Sequence, residues 1–270
     1  MQEEKEAIRT HYNADPLKEW NRLQKRTPYE KYITTHMMDR YIRPGDTILD
    51  IGGGPGHYAI YYAKQGHDVT LLDLSDENVR FAKKKARQYS VKITALQGDA
   101  MDLSRFADHS FDTVFLMGPL YHLMNEESRL RAVREAKRVL KPGGCLFSSF
   151  ILMFGGVIYG LRELQETIFW PEEQPLYEVA AKDESLSFEA FTYSYMTTVR
   201  DAKKLFASVP GLKTETIFGQ EGILAPYKNV LNRCPKKTRT AWCDYALRFC
   251  EKEDYLTHSE HLMIVSRNEC

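Results

Sequence analysis

The chain has 270 residues, of which 43% are hydrophobic and 27% charged, as expected for a globular protein with one α/β domain and additions. Its 37 basic and 37 acidic residues cancel, which argues against binding dominated by a nucleic-acid backbone. The five cysteines show no metal-ligand spacing, so we predict no metal site. No apolar run has membrane-spanning length and the start lacks a signal-peptide core, so we expect a cytoplasmic protein with no membrane association.

Before the first strand, about forty residues have helical character. One segment is broken at 12–16, where the sequence ends in Asp-Pro. Residues 17–25 continue the pattern with Trp20 and Leu23 on one face. A further helix is predicted from Pro28 to about residue 41, where Pro-Gly follows.

A glycine-rich turn follows the first predicted strand. Residues 47–51 form an apolar run, and Gly52, Gly54 and Gly56 come directly after it. Glycines at such a turn let backbone N–H groups approach a ligand. A dinucleotide fingerprint needs its third glycine where this chain has His57. Asp50 at the strand tip repels a pyrophosphate and favours a cationic ligand.

Polar residues also end the next predicted strands. Asp73 lies roughly 20 residues beyond the turn, where a carboxylate can accept hydrogen bonds from a ribose diol. Gly98-Asp99-Ala100 follows a third strand at 93–96, and a fourth strand spans 111–117. Leu-Lys-Pro-Gly-Gly at 140–144 is predicted to close a helix before a fifth strand at 145–150.

Together these motifs resemble the class I S-adenosylmethionine (SAM) methyltransferases over about residues 45–150. The resemblance implies an α/β, Rossmann-like fold with SAM as cofactor. Its sheet would have seven mostly parallel strands in the order 3-2-1-4-5-7-6, with the last strand antiparallel and helices on both faces. It divides the chain into an N-terminal helical lid (1–44), a SAM-binding core (45–150), a substrate-lid insertion (151–195), and a C-terminal part (196–270) with a helical insertion (222–257).

The resemblance also implies which residues bind SAM. Asp99 would hold the adenine amino group, and His57 would be kept neutral by the helix dipole. Tyr12 and Arg22 are candidates to meet the methionine carboxylate; alternatively, Arg22 faces water while its neighbours anchor the helix. The full predicted set is Asp50, Gly52, Gly53, Gly54, Gly56, His57, Asp73, Leu74, Gly98, Asp99, Ala100, Met117, Tyr12 and Arg22.

The loop after the fourth strand holds the candidate catalytic residues. It lacks the Asn/Asp-Pro-Pro-Tyr motif of related enzymes that methylate base or glutamine amines. His122 could deprotonate a hydroxyl, carboxylic acid or thiol, or it could pack beneath the loop against the backbone. Tyr121 could act as an acid or base, or simply form a wall of the site.

Two insertions are expected to cover the sheet. The one at 151–195, with a helix at 161–169, would project over the carboxyl edge. Its aromatic residues could stack a substrate or form the underside of a lid: Phe154, Tyr159, Phe169, Trp170, Tyr177, Phe188, Phe191, Tyr193 and Tyr195. In the second insertion, a helix at 238–251 would pack through Trp242, Tyr245, Ala246 and Phe249 onto the core or a second subunit. Strands six and seven are predicted at 212–218 and 261–266.

The leading hypothesis is methyl transfer from SAM to an O, N or S nucleophile of a small molecule by in-line displacement. The layout is also similar to the bacterial tRNA 5-carboxymethoxyuridine methyltransferases, with Lys236, Lys237 and Arg239 as candidate RNA contacts, although the neutral charge disfavours tRNA. An NAD-dependent oxidoreductase or a non-catalytic SAM-binding protein are alternatives of another class. The sequence does not predict the oligomeric state.

Overall fold

The fold is built on a mostly parallel sheet. The computed structural model describes residues 2–190 and 192–270, so Phe191 of the predicted aromatic set lies outside the described residues. Five parallel strands stand in the order β3-β2-β1-β4-β5, and antiparallel β9 joins β5 on its far side, followed by β8. The strands are β1 (Thr47–Ile51), β2 (Asp68–Asp73), β3 (Thr94–Gln97), β4 (Phe111–Leu116), β5 (Leu140–Leu152), β8 (Leu212–Gly219) and β9 (His261–Asn268). The predicted order is therefore confirmed, with β9 and β8 as the predicted seventh and sixth strands.

Two further strands were not predicted. β6 (Leu186–Glu189) and β7 (Tyr193–Thr197) form an antiparallel hairpin, and β7 pairs with the last residues of β5. The sheet of the described residues therefore has nine strands and forks at β5. The sequence prediction missed the hairpin because β6 is short and half-exposed, so it lacks the apolar run that reveals a buried strand.

The predicted turn at 140–144 is wrong. These residues continue β5, which begins at Leu140 directly after a helix. A register shift opposite Asp112 and the left-handed backbone of Gly143 absorb the Pro-Gly-Gly sequence. Such a bulge bends a strand without ending it.

Helices cover both faces of the sheet. Side chains alternate along the central strands, so that Phe115 and Phe147 face one layer, whereas Val114 and Leu146 face the other. The first layer contains α3 (Pro28–Met38), α4 (His57–Lys64) and α5 (Asp76–Gln88). The second contains α6 (Glu126–Val139) and α9 (Val199–Ala207).

The N-terminal helices lie across one end of the sheet. They are α1 (Gln2–Ala14), α2 (Pro16–Asn21) and a π-helical turn (Arg22–Arg26). Asp15 caps α2 by accepting a hydrogen bond from the Lys18 N–H. Trp20 and Leu23 are buried, as predicted, and both α1 and α2 contact α5.

The insertions differ in detail from their predictions. The helix predicted at 161–169 is displaced: α7 spans Met153–Glu163, a 3-10 turn spans Gln165–Phe169, and α8 spans Gln174–Ala181. The C-terminal insertion contains α10 (Lys228–Arg233), α11 (Lys236–Ala246) and 3-10 turns at Gly222–Tyr227 and Glu253–His258. None of the described helices is both long and apolar enough to cross a membrane.

Only part of the predicted face of α11 packs on the core of this chain. Ala246 is buried, but Trp242 and Tyr245 are 49% and 44% exposed. Cys243 and Cys250 occupy the core instead. α11 contacts α3, while the Trp242 and Tyr245 rings remain exposed.

Candidate active site

A cavity between the N-terminal helices and the strand ends contains most of the predicted site residues. Its walls come from α1, α2, the loops after β1 to β4 and the start of β9. The predicted residues that line it are Tyr12, Arg22, Asp50, Gly52, Gly53, Gly54, His57, Asp73, Leu74, Gly98, Asp99, Ala100, Met117, Tyr121 and His122.

Among the described residues of the predicted site, Gly56 alone does not line the cavity. It precedes α4 in a left-handed conformation with φ of 89°. A Cβ at this position would lie 3.1 Å from the Ala82 side chain. Gly56 therefore permits close packing of α4 on α5 and does not touch the cavity.

The glycine turn places bare backbone against the cavity. Gly54 has φ of 54°, and a Cβ added there would meet nothing within 4 Å. Its N–H donates to Asp73 Oδ2 over 2.8 Å, which ties the turn to the end of β2. A Cβ at Gly53 would lie 2.7 Å from the Asp50 carboxylate. Gly54 thus leaves open space at the cavity, whereas Gly53 is required because a side chain there would collide with Asp50.

Asp50 is a buried acid at the tip of β1. Its side chain is inaccessible, and its oxygens make no close hydrogen bond among the described residues. Burial and the neighbouring Asp73 raise its pKa to about 7, although the Ala59 N–H acts in the opposite direction. A buried carboxylate without a close donor favours the approach of a cation.

The other two predicted acids already have partners. Asp73 accepts hydrogen bonds from the N–H groups of Gly54 and Ser75 and from Asn78. Burial nevertheless raises the pKa of Asp73. Asp99 forms a 2.9 Å ion pair with Lys5 of α1. That contact connects α1, the first of the N-terminal helices (the N-terminal cover, residues 2–26), to the loop after β3.

His122 is held at both ring nitrogens. Its Nδ1 lies 2.8 Å from the Tyr193 carbonyl oxygen, so Nδ1 carries the proton. Nε2 lies 2.7 Å from the Tyr12 hydroxyl and therefore accepts. Burial lowers the pKa of His122 to about 4. This geometry favours the packing alternative for His122 over the role of a base.

Tyr121 forms a wall beside His122. The two rings meet edge to face with centroids 4.9 Å apart. Burial is the main cause that raises the pKa of Tyr121 to about 12. A phenol with that pKa stays protonated at neutral pH.

Arg22 does not simply face water, contrary to the alternative left open by the sequence. Its guanidinium donates to Glu30 over 2.7 Å and lies 3.5 Å from Glu19. Thr27 also donates to the buried Glu30. Arg22 is therefore an ion-paired residue of the cavity wall.

His57 is the first residue of α4 and is buried. Its Nε2 donates to the Trp20 carbonyl over 2.7 Å, and its ring stacks on Trp20 with centroids 4.1 Å apart. Burial, more than any nearby charge, lowers its pKa to about 3. His57 thus anchors α2 to the core.

The sequence prediction missed one polar end of the cavity. Ser149, Gln220 and His261 line it, and Glu221 lies directly behind His261. Because β8 and β9 are antiparallel neighbours, the end of one strand meets the start of the other. The polar residues Gln220 and Glu221 after β8 and His261 at the start of β9 could have indicated this part of the site from the sequence. By contrast, no described residue of 151–195 lines the cavity.

Glu30, Glu221 and His261 could in principle hold a metal, since one ligand atom of each lies within 4.8 Å of the others. Both carboxylates already accept hydrogen bonds. Glu30 accepts from Arg22 and Thr27, and Glu221 accepts from His261. The arrangement is that of a hydrogen-bonded ionic network.

Comparisons with known proteins agree on the central domain. A family model described as a methyltransferase domain matches residues 48–144. A 27-O-demethylrifamycin SV methyltransferase from Amycolatopsis mediterranei is 36% identical over 129 residues, which cover 44% of this chain and 46% of that protein. A ubiquinone biosynthesis O-methyltransferase from Xanthomonas campestris is 34% identical over 110 residues, covering 41% and 45%. The matches thus span about half the length of these relatives.

A solved structure shows the same fold over a longer stretch. The crystal structure of a SAM-dependent methyltransferase from Methanosarcina mazei aligns with a TM-score of 0.57 and 20% identity. The alignment covers 86% of this chain and 96% of that one.

Proposed function

We propose that this chain, a member of the class I SAM-dependent methyltransferases, transfers the methyl group of SAM to an O, N or S nucleophile of a small molecule. The observation that carries the proposal is the cavity itself. It brings the glycine turn, Asp50, Asp73 and Asp99 together beneath the N-terminal helices. We place this activity in the cytoplasm.

The residues of the cavity fit the parts of SAM. Asp50 lacks a close donor, and the ammonium group of the methionine moiety would supply one. Asp73 would accept from the ribose hydroxyls, and Asp99 would meet the adenine amino group once Lys5 moves away. Gly52, Gly53 and Gly54 would give backbone access, Leu74, Gly98, Ala100 and Met117 would form walls, and Tyr12 and Arg22 would face the methionine carboxylate.

Methyl transfer requires mainly that the acceptor nucleophile be positioned correctly against the methyl group. When bound, SAM supplies an electrophilic methyl group on a positively charged sulfur. In-line transfer needs the nucleophile aligned at about 3–3.5 Å from the methyl carbon. The cavity walls would orient the acceptor, and α1 and α2 would exclude water. Tyr121 fits a wall role better than an acid or base role, because its raised pKa keeps it protonated.

The relatives support a small-molecule acceptor. One is named for O-methylation in ubiquinone biosynthesis and the other for a 27-O-demethylrifamycin. The tRNA alternative relies on Lys236, Lys237 and Arg239 at the start of α11. None of these three residues lines the cavity, so the small-molecule hypothesis is favoured.

The test incubates the chain with methyl-labelled SAM and either a fractionated metabolite extract or total tRNA. We expect label in a small-molecule fraction with equal release of S-adenosylhomocysteine. Label confined to tRNA would support the alternative acceptor. SAM binding without S-adenosylhomocysteine formation in any fraction would indicate a non-catalytic protein. Binding of NAD in place of SAM would contradict the assignment entirely.

A further inference from the structure

His261 stands at the polar end of the cavity. It is the first residue of β9 and pairs with Ile151 near the carboxyl end of β5. Its side chain is 18% exposed, and it lines the cavity together with Ser149 and Gln220. Ser149 and Gln220 hydrogen-bond to each other. A rigid strand end therefore presents His261 to whatever the cavity holds.

Glu221 fixes the orientation of this imidazole. The Glu221 carboxylate accepts hydrogen bonds from the Ser259 hydroxyl, from the backbone N–H groups of Glu260 and His261, and from His261 Nδ1 over 2.6 Å. Since every partner is a donor, Glu221 is ionised and Nδ1 carries a proton. No described residue hydrogen-bonds His261 Nε2, so this nitrogen is available to a molecule in the cavity.

The charges around His261 favour a second proton at Nε2. Burial alone would lower the pKa of His261, but the Glu221 carboxylate and Glu30 outweigh it and raise the pKa to about 9, against a smaller effect of Arg22. Glu260 also lies beside this pair. At neutral pH, His261 is a cation whose Nε2–H donates into the cavity. Such a charge-assisted donor binds an anionic oxygen more strongly than a neutral hydroxyl.

We propose that His261, positioned by Glu221, binds the methyl acceptor as an anion, and that the acceptor is an acidic hydroxyl compound such as a phenol, an enol or a carboxylic acid. This inference rests on the proposed function. An ionised oxygen needs no base to remove its proton, which agrees with the neutral, fully engaged state of His122. A protonated amine offers no lone pair to accept the hydrogen bond of the His261 Nε2–H.

The experiment uses 4-nitrophenol, whose ionised form alone is yellow, with the protein saturated by S-adenosylhomocysteine. We expect binding to lower the pKa of the probe, so that its absorbance rises near neutral pH. 4-Nitroanisole, the methyl ether of the same ring, cannot ionise and should bind more weakly. His261→Gln should weaken 4-nitrophenol binding by about tenfold or more, whereas His258→Gln, an exposed control nearby, should not.

Three outcomes would overturn the proposal. They are the absence of saturable 4-nitrophenol binding, an unchanged or raised pKa of the bound probe, and equal binding by wild type and His261→Gln. Saturable Zn²⁺ binding that disappears in His261→Gln would also overturn it, since it would identify Nε2 as a metal ligand. Calorimetry with S-adenosylhomocysteine on the same variants keeps the proposed function separate: its binding should persist in His261→Gln even if the probe result fails.

Glu221→Gln tests the positioning role. Loss of the carboxylate should lower the pKa of His261, measured by NMR of the imidazole, and should weaken 4-nitrophenol binding together with it. A purely structural role of Glu221 would leave the pKa of His261 unchanged in the folded variant.

Discussion

Tyr12 and His122 are 110 residues apart in the sequence, yet the Tyr12 hydroxyl lies 2.7 Å from His122 Nε2. This bond joins α1 to the loop after β4. Through the other ring nitrogen, His122 also holds the β6–β7 hairpin at the Tyr193 carbonyl. One buried imidazole thus connects the N-terminal cover, the central sheet and the insertion.

Tyr12→Phe should destabilise the protein by about 1–3 kcal/mol, because it removes the hydrogen bond of the Tyr12 hydroxyl to the buried His122 Nε2. Urea unfolding measures this. Tyr61→Phe is the control, since the Tyr61 hydroxyl donates to Asp39 at an exposed position and water can replace it. Equal losses of unfolding free energy in the two variants would show that the Tyr12–His122 hydrogen bond stabilises the fold no more than an exposed one.

Gly54→Ala and Gly66→Ala separate backbone strain from access to the cavity. Both glycines have positive φ and open space around a new Cβ, so each variant should lose about 1–2 kcal/mol of unfolding free energy. Only Gly54 lines the cavity. SAM affinity, measured by calorimetry, should therefore fall in Gly54→Ala alone. An equal loss of affinity in Gly66→Ala would point to a general effect of strain.

The buried neutral histidines should make the fold sensitive to acid. The pKa of His122 is lowered to about 4 and that of His57 to about 3, whereas both titrate near 6.5 when unfolded. The unfolded chain therefore binds more protons below pH 6.5. Each histidine should reduce the unfolding free energy by up to about 1.4 kcal/mol per pH unit between 6 and its own folded pKa.

His122→Asn should flatten this dependence in unfolding measured from pH 7 to pH 5. His36→Gln, an exposed control, should leave the slope unchanged. An identical slope in His122→Asn and wild type would contradict the assignment of a neutral His122.

The Glu221–His261 pair should give the unfolding free energy the opposite pH dependence, with stability lost at alkaline pH. The pKa of His261 is raised to about 9 in the folded protein, so its stabilising effect is complete below pH 6.5 and is lost as the pH rises through 9. Glu221→Gln should remove this alkaline dependence and should cost about 3–5 kcal/mol at neutral pH, because a buried ion pair loses one partner. Persistence of the alkaline slope in the variant would assign it to another group.

The sequence was most informative where local chemistry decides the structure. The glycine turn after β1 and Asp73 at the end of β2 follow from patterns within a few residues, whereas the strand order was implied by the resemblance of these motifs to a known family. It was less informative at edges, since the β6–β7 hairpin is short and half-exposed and has no periodic signal. At Gly143, the Pro-Gly-Gly sequence predicted a turn, but these residues belong to β5, which pairs with β4.

The site was predictable to a similar degree. The loops after the parallel strands could be assigned because their ends must meet at one edge of the sheet. The partners of Arg22 and His122 could not, since those contacts depend on how the N-terminal helices fold back. His261 and Glu221 lie on a strand end and its neighbouring loop that only the antiparallel pairing brings together.

The central claim, that this cavity binds SAM, is tested most directly by calorimetric titration of SAM into wild type, Asp73→Asn and Asp68→Asn. Asp68 is the matched control, because it stands exposed at the opposite end of β2. We expect saturable binding by wild type and Asp68→Asn, and affinity lower by about tenfold or more in Asp73→Asn. Absence of SAM binding by wild type, or equal affinity in all three proteins while each remains folded, would contradict the account.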